Sequence, residues 1–270
     1  MPHTYECPLR WADLDLLGHV NNVTYLDYVA EAREALFAGL PAGRAAVRSY
    51  QVEFLKPLVF SRTPVLVDSW VTDAGADEFA LAHEVYDAPA DGESERTVYL
   101  RASTVLAHRF TDEERAVADQ VRGPAHEWRP MPKENRPASG DYDLTVRRTD
   151  LDERGEARPG AFFEYFQEAR ILLTARLWRD LPEGTPAVSM VVAQTDVDYK
   201  VPILFRPEPY DAWSWISRVG SRSATIESVI CDGDTVLSQA RVAIVFFDQE
   251  TQRSAPPPEV YRERLLTVLV

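Results

Sequence analysis

Apolar residues recur along residues 23–38 at the spacing of one helical face: Tyr25, Val29, Ala32 and Leu36 align, with Asp27, Glu31 and Glu34 opposite. The pattern predicts an amphipathic helix, preceded by a short strand over about residues 5–12 and a turn. Behind it the chain reads as strands over residues 50–55, 65–72, 79–86 and 97–108. The succession then returns. Phe162, Phe166, Ala169 and Leu173 repeat the stripe for a second helix, about residues 162–178, followed by strands over 193–199, 210–218, 224–231 and 236–247. Asp232-Gly233-Asp234 is a hairpin turn signal between the last two strands. A long helix followed by several strands, with no helices between them, argues for α+β architecture with antiparallel sheets.

The return is a repeat at the level of residues. RWADLDLLGHVNNVTYLDYVAEAR (10–33) lies over RRTDLDERGEARPGAFFEYFQEAR (147–170) without a gap at a shift of 137, with nine of twenty-four positions identical. VEFLKPLVF (52–60) lies over VDYKVPILF (197–205) at a shift of 145, and Trp70 meets Trp215 further on. Two matches in the same order at nearly one offset mean a duplicated domain, and a period of about 140 residues is too long for a solenoid. The expected division is residues 1–122 and 141–270, joined by GPAHEWRPMPKENRPASG (123–140), whose proline, glycine and charge suit an extended linker.

Composition narrows the class. With 270 residues and 45% apolar side chains the chain can bury full cores. A net charge of −14 argues against nucleic acid or an anionic membrane as general partner. Cys7 and Cys231 do not make a disulfide framework and read as reduced thiols. No apolar run of about 18 residues predicts a membrane span, and no secretory signal is visible at the N-terminus. A cytoplasmic protein is expected. There is no G-x-S-x-G elbow and no phosphate loop of the Walker type. The five histidines lack paired metal spacing, so neither metal nor separate cofactor is expected.

One run carries candidate chemistry: Asp13, Asp15, Gly18, His19, Asn21, Asn22, Tyr25 and Tyr28. It reads as a strand ending in a carboxylate, a glycine turn and a polar helix start. Gly18 permits a backbone conformation that other residues adopt at a cost. A helix beginning at Asn21 or Asn22 leaves free N–H groups and partial positive charge, which can hold an oxyanion. A carboxylate just before it can act as nucleophile or general base. The same residues also suit a plain capped helix behind a solvent-facing aspartate. Asp13 is the competing carboxylate, read as a structural partner of Arg10 or Arg33.

D-x-D-x-x-G-H-V-N-N-x-x-Y-L-x-Y-x-x-E-A-R resembles the signature of the 4-hydroxybenzoyl-CoA thioesterase family, and Lys56-Pro57 is similar to that family's second strand. The resemblance spans both halves and is strongest over residues 10–33. It implies two tandem hotdog domains, each a curved antiparallel sheet around a long central helix, forming a pseudo-dimer. It implies an acyl-CoA thioesterase in which Asp15 is the catalytic carboxylate and the Asn22 N–H polarises the thioester carbonyl. His19 and Asn21 would support them, His19 by orienting Asp15 or a water; the alternative for His19 is a turn histidine bonding backbone. Gly18 and Tyr25 would line the substrate site, with Lys56, Arg158 and Lys200, alongside Arg62 and Arg101, as candidates for the nucleotide of coenzyme A, itself part of the substrate. In the second copy His19, Asn21 and Asn22 become Glu156, Arg158 and Pro159, so only the first copy is expected to be active. The rivals are an acyl-carrier-protein thioesterase and a non-catalytic acyl-CoA-binding protein. Homo-oligomers of pseudo-dimers stay open.

Overall fold

In the computed structural model, residues 1–89, 95–133, 141–248, 250–251 and 253–270 are described. Contacts divide the chain into two compact units, Met1–Arg129 and Pro130–Val270.

The first unit opens with strand β1 (His3–Cys7), then a 3-10 turn (Trp11–Asp13) and helix α1 (Thr24–Leu36). β1 stops sooner than the apolar pattern suggested because Pro8 has no N–H to donate to a neighbour. Strands β2 (Ala46–Phe54), β3 (Val65–Ala74), β4 (Glu78–Asp87) and β5 (Thr97–Ala107) follow, then helix α2 (Asp112–Gln120). Their order across the sheet is β1-β3-β4-β5-β2, every pair antiparallel. α1 buries Tyr25, Val29, Ala32 and Leu36 as its periodicity requires, and leaves Asp27, Glu31 and Glu34 exposed. Leu36 and Phe37 join Val71, Phe79, Leu81 and Leu106 in one core cluster.

The second unit repeats this plan. Strand β6 (Asp141–Leu144), a 3-10 turn (Arg148–Asp150) and helix α3 (Pro159–Trp178) lead into β7 (Ser189–Tyr199), β8 (Tyr210–Val219), β9 (Ser223–Asp232) and β10 (Thr235–Asp248). The strand order is β6-β8-β9-β10-β7, with a short β11 (Arg253–Ser254) on β10, before helix α4 (Glu259–Thr267). Gly233 turns the predicted β9–β10 hairpin at φ 55°.

The duplication reaches the irregularities. A bulge interrupts β3–β4 between Val71 and Asp73, and another interrupts β8–β9 between Ile216 and Arg218. Opposite β4 the register skips Tyr99, whose carbonyl accepts the N–H groups of Leu55 and Lys56 at 2.8 and 3.4 Å. Opposite β9 it skips Leu237, whose carbonyl accepts those of Lys200 and Val201 at 2.9 and 3.0 Å. Bulges re-aim a strand and are retained as features, so their repetition identifies one curved-sheet plan used twice.

α2 was not apparent from apolar periodicity, because the helix is short and mostly polar. Its signal is a capping box: the Thr111 hydroxyl accepts the Glu114 N–H at 3.2 Å and Glu114 accepts the Thr111 N–H at 2.8 Å. Glu114 is fully buried and also accepts from Ala42 N–H at 2.8 Å and pairs with His108 Nε2 at 2.9 Å. Burial would raise its pKa, but the bonds from Thr111, His108 and Ala42 together hold it below the ordinary 4.5. Because the folded value is depressed, its contribution is complete above that ordinary value and fades as pH falls through the folded one. Glu114→Ala, which strands two backbone donors, is expected to cost about 2–4 kcal/mol at pH 7 in urea unfolding, with the difference shrinking below pH ~4. An undiminished difference at pH 3 would show that ionisation is not involved.

The stretch between the units holds no helix or strand where it is described. In the first unit Trp70 Nε1 donates to the Pro124 carbonyl at 2.8 Å and Trp128 Nε1 to Ser103 Oγ at 2.7 Å. In the second, Arg241 Nη1 and Gln239 Nε2 donate to the carbonyls of Pro130 and Pro132. The rest of the predicted linker, 134–140, lies outside the described residues.

Candidate active site

Residues 13–21 form a tight hairpin ahead of α1. Asp15 N–H donates to the His19 carbonyl at 2.7 Å and Asn21 N–H to the Asp13 carbonyl at 2.8 Å, with a bridge between Leu14 and Val20. Gly18 turns the chain at φ 76°, a left-handed conformation that glycine adopts freely. A Cβ there would meet nothing, so backbone strain alone demands the glycine. Gly155 repeats the turn at φ 79°.

The two aspartates divide the work. Asp13 is 3% exposed. It accepts the Tyr28 hydroxyl at 2.7 Å, the Arg10 N–H at 2.9 Å and Arg10 Nε at 2.9 Å, and so ties the hairpin to α1. Tyr165 and Asp150 repeat the pair at 2.9 Å. Burial first, and Asp13 next, push the Tyr28 hydroxyl far up, which keeps it a donor. Of the partners weighed for Asp13, Arg10 is the one it meets. The identical Asp–Tyr pairs fifteen residues apart in both copies were the sequence signal for this lock. Asp13→Ala would leave the Tyr28 hydroxyl and a backbone N–H without their acceptor, and is expected to cost about 2–4 kcal/mol in thermal unfolding; Tyr28→Phe should cost about 1.

Asp15 is half-buried. Its Oδ1 accepts the N–H groups of Leu17 at 2.8 Å and His19 at 3.1 Å, which fixes the carboxylate against its own turn. No donor reaches Oδ2 among the described residues. His19 therefore holds Asp15 through its backbone, while its half-buried imidazole has no bonding partner among the described residues. Asn21 Oδ1 accepts the Val23 N–H at 3.0 Å and its backbone carbonyl accepts the Thr24 N–H at 3.0 Å, so Asn21 forms a turn ahead of α1, which begins at Thr24 rather than at Asn21 or Asn22 and has no side-chain cap. The Asn22 N–H donates to no acceptor among the described residues. Tyr25 is 3% exposed and packs edge-on against Tyr28 and Phe54. Burial chiefly raises its hydroxyl, with Tyr99 and Asp15 close enough to raise it further.

The second unit keeps the turn and fills the positions that the first leaves open among the described residues. Asp152 Oδ1 accepts the N–H groups of Arg154 at 2.9 Å and Glu156 at 3.1 Å, as Asp15 does. Its Oδ2, however, is held by Arg154 Nε at 3.0 Å and Nη2 at 2.9 Å. Burial would raise Asp152, but the Glu156 and Arg154 donors and the arginine's charge hold it below its ordinary value. The position of Asn22 is Pro159, which starts α3 and has no N–H. The Leu17/Arg154 contrast was visible in the aligned repeat, but its meaning depended on side-chain geometry. Asp152→Asn is expected to leave thioester turnover unchanged within twofold; a hundredfold loss would mean that the second copy works.

The cationic candidates differ in their partners. In the first unit Lys56 and Arg62 are exposed without an ion pair among the described residues, whereas Arg101 Nε donates to Glu84 at 3.0 Å. In the second, Arg158 pairs with Glu164 at 3.0 Å and Lys200 is exposed.

A duplicated curved antiparallel sheet with a long helix in each copy defines a tandem hotdog protein. The sequence profile of the thioesterase-like superfamily matches residues 9–134 and 146–265, and the chain belongs to that family. Similar solved structures include an assigned oleoyl thioesterase from Lactobacillus plantarum, with a TM-score of 0.68 at 11% identity, covering 92% of this chain and 98% of that one. The 12:0-ACP thioesterase from Umbellularia californica aligns with a TM-score of 0.62 at 13% identity, over 90% of this chain and 93% of that one. An acyl-ACP thioesterase from Bacteroides thetaiotaomicron aligns with 0.59 at 14%, over 90% and 96%. Among curated proteins, the UDP-N-acetylmuramate–L-alanine ligase of Roseiflexus castenholzii is 34% identical over 80 residues. That stretch is 29% of this chain and 17% of the ligase, so the chain spans a small part of that relative. No helix among the described residues is long and apolar enough to cross a membrane.

Proposed function

We propose that the protein hydrolyses an acyl-CoA thioester at the first copy of the motif. The Asp15 carboxylate attacks the thioester carbonyl, or takes a proton from the water that does. The carbonyl oxygen becomes an oxyanion facing the Asn22 N–H and the start of α1, where an unpaired amide and the helix dipole favour negative charge. Collapse expels the coenzyme A thiolate. If Asp15 attacked directly, water then cleaves the acyl-aspartate anhydride; either route yields a carboxylic acid and a free thiol. Leu17 and His19 N–H groups keep Asp15 oriented through Oδ1, leaving Oδ2 for the reaction.

The observation that carries this reading is the asymmetry between the copies. Where the first has, among the described residues, an unclaimed carboxylate oxygen and an unclaimed amide, the second has Arg154 on the oxygen and a proline in place of the amide. A domain retained only for its fold needs neither difference.

The test is free-thiol release across short, long and aromatic acyl-CoAs. Turnover on at least one class is expected. Tight binding without thiol release on every chain would favour the non-catalytic acyl-CoA-binding alternative. Two of the structural relatives are named for acyl carrier protein. At such low identity they speak for the fold, so the same acyl group presented on coenzyme A and on carrier protein separates the two substrates. A net charge of −14 disfavours an acidic carrier.

A further inference from the structure

Arg33 stands on the buried face of α1, nine residues after Thr24 and so about 13 Å along the helix from its start. It is 7% exposed. Its Nε donates to the Gly43 carbonyl at 2.8 Å, whereas its Nη1, also buried, meets no acceptor among the described residues. The sheet beneath presents further polar groups. Tyr50, Thr104, Leu81 and Val71 form one row across β2, β5, β4 and β3, and His83 and Ser69 stand in the next row on the same face. Leu81 and Val71 share a core cluster with Leu36 of α1, so this is the face turned to the helix. Ser69, His83 and Thr104 are fully buried. Ser69 Oγ lies 2.8 Å from His83 Nδ1, while His83 Nε2 and Thr104 Oγ1 have no partner among the described residues. Thr104 is close to the Tyr50 hydroxyl without the geometry of a hydrogen bond to it.

Electrostatics ties these groups together. Burial first, and the Arg33 charge next, push His83 down to about 3, so its imidazole is neutral. Burial raises the Tyr50 hydroxyl, and the same Arg33 charge draws it part of the way back. A neutral imidazole whose Nδ1 accepts the Ser69 hydroxyl carries its proton on Nε2. The unpartnered atoms are then two N–H donors and a hydroxyl able to donate, beside a guanidinium with no ion pair among the described residues. Buried donors need acceptors, and a buried cation needs a counter-charge. A water could accept two of these bonds but would bring two protons of its own to place. A halide accepts all three bonds and supplies the charge.

The second unit keeps the arginine without the donors. Arg170 takes the place of Arg33, and Ser214 and Ser228 take those of Ser69 and His83. Val242 opposes Thr195 as Thr104 opposes Tyr50. The two serine hydroxyls bond each other at 2.7 Å, and valine has nothing to donate. Burial there pulls Arg170 down to about 10, as expected of a guanidinium lacking a counter-charge.

We propose that the first unit binds a small monovalent anion of the chloride type under α1, held by Arg33 Nη1, His83 Nε2 and Thr104 Oγ1. The anion fastens the later half of α1 to β4 and β5, and its site is separate from the groups assigned to thioester cleavage.

The test is thermal unfolding of the full chain at pH 7, with chloride exchanged for gluconate, an anion too large for a closed interior, at constant ionic strength. The melting temperature is expected to rise by about 3–6 °C between 1 and 100 mM chloride and then to level off, as one saturable site requires. Thr104→Val removes one donor at nearly constant shape, and should move the midpoint of that rise to about tenfold higher chloride. Arg33→Met should abolish the rise; should that variant not fold, Thr104→Val and a halide soak decide. In crystals grown in bromide, an anomalous peak is expected beside Arg33 Nη1. Equal melting temperatures in chloride and gluconate overturn the proposal, as does a chloride response that Thr104→Val leaves unmoved. Density at the site without an anomalous bromide signal overturns it as well, and gives the three groups to a water. None of these readouts uses thioester turnover, so this proposal and the assignment of Asp15 fail independently.

Discussion

Asp15→Asn is expected to lower thioester turnover by about 10²–10⁴ while leaving the fold and the melting temperature nearly unchanged. Asparagine keeps an acceptor oxygen for the Leu17 and His19 N–H groups, so the turn that Asp15 organises survives. What it loses is the carboxylate's ability to attack a carbonyl or take a proton from water. Asp15→Ala removes the acceptor as well, and should cost about 1–2 kcal/mol of stability in addition. The comparison therefore separates chemistry from architecture. Turnover in the asparagine variant within threefold of wild type would reject Asp15 as the reacting group, and leave it the role its counterpart Asp152 shares, that of pinning a turn.

Asn22→Pro should lower kcat by about 10²–10³, the usual loss for one oxyanion donor, whereas Asn22→Ala should change it little. The contrast tests the backbone amide rather than the side chain, since alanine keeps the N–H and proline removes it. The fold has already accepted proline at this place: Pro159 begins α3 in the second copy. Unfolding curves for both variants check that the helix start is intact. Equal losses in the two variants would shift the role to the Asn22 side chain. No loss in the proline variant would remove the oxyanion site from this helix altogether.

Much of the fold was legible because its signals are local and occur twice. The stripe of Tyr25, Val29, Ala32 and Leu36 has the period of a helix with one buried face, and the structure buries all four. The Asp–Gly turn ahead of it needs only a glycine able to reach positive φ, and both copies have one. α2 escaped because its nine residues carry few apolar side chains, and its stability comes from a buried glutamate bonded to Ala42, seventy-two residues earlier in the chain. No periodicity records such a contact. The Leu17/Arg154 exchange could be read off the repeat as a change of character. That Arg154 reaches back to Asp152 Oδ2 depends on side-chain geometry, which the alignment does not contain.

What the sequence determined by itself was the duplication and the class of each copy, since residue type, spacing and periodicity govern these without reference to distant partners; it also named the polar groups of one run as candidates. Only the tertiary structure divided the labour among them. It gave Asp13 to a lock with Tyr28, Asn21 to the turn ahead of α1 and the His19 backbone to Asp15. Among the described residues it left one carboxylate oxygen and one amide unclaimed in the first copy, and closed both positions in the second. The physical reason is that a polar group's role is set by which hydrogen bonds it has already made, and that is a property of three-dimensional neighbours rather than of neighbours in the chain.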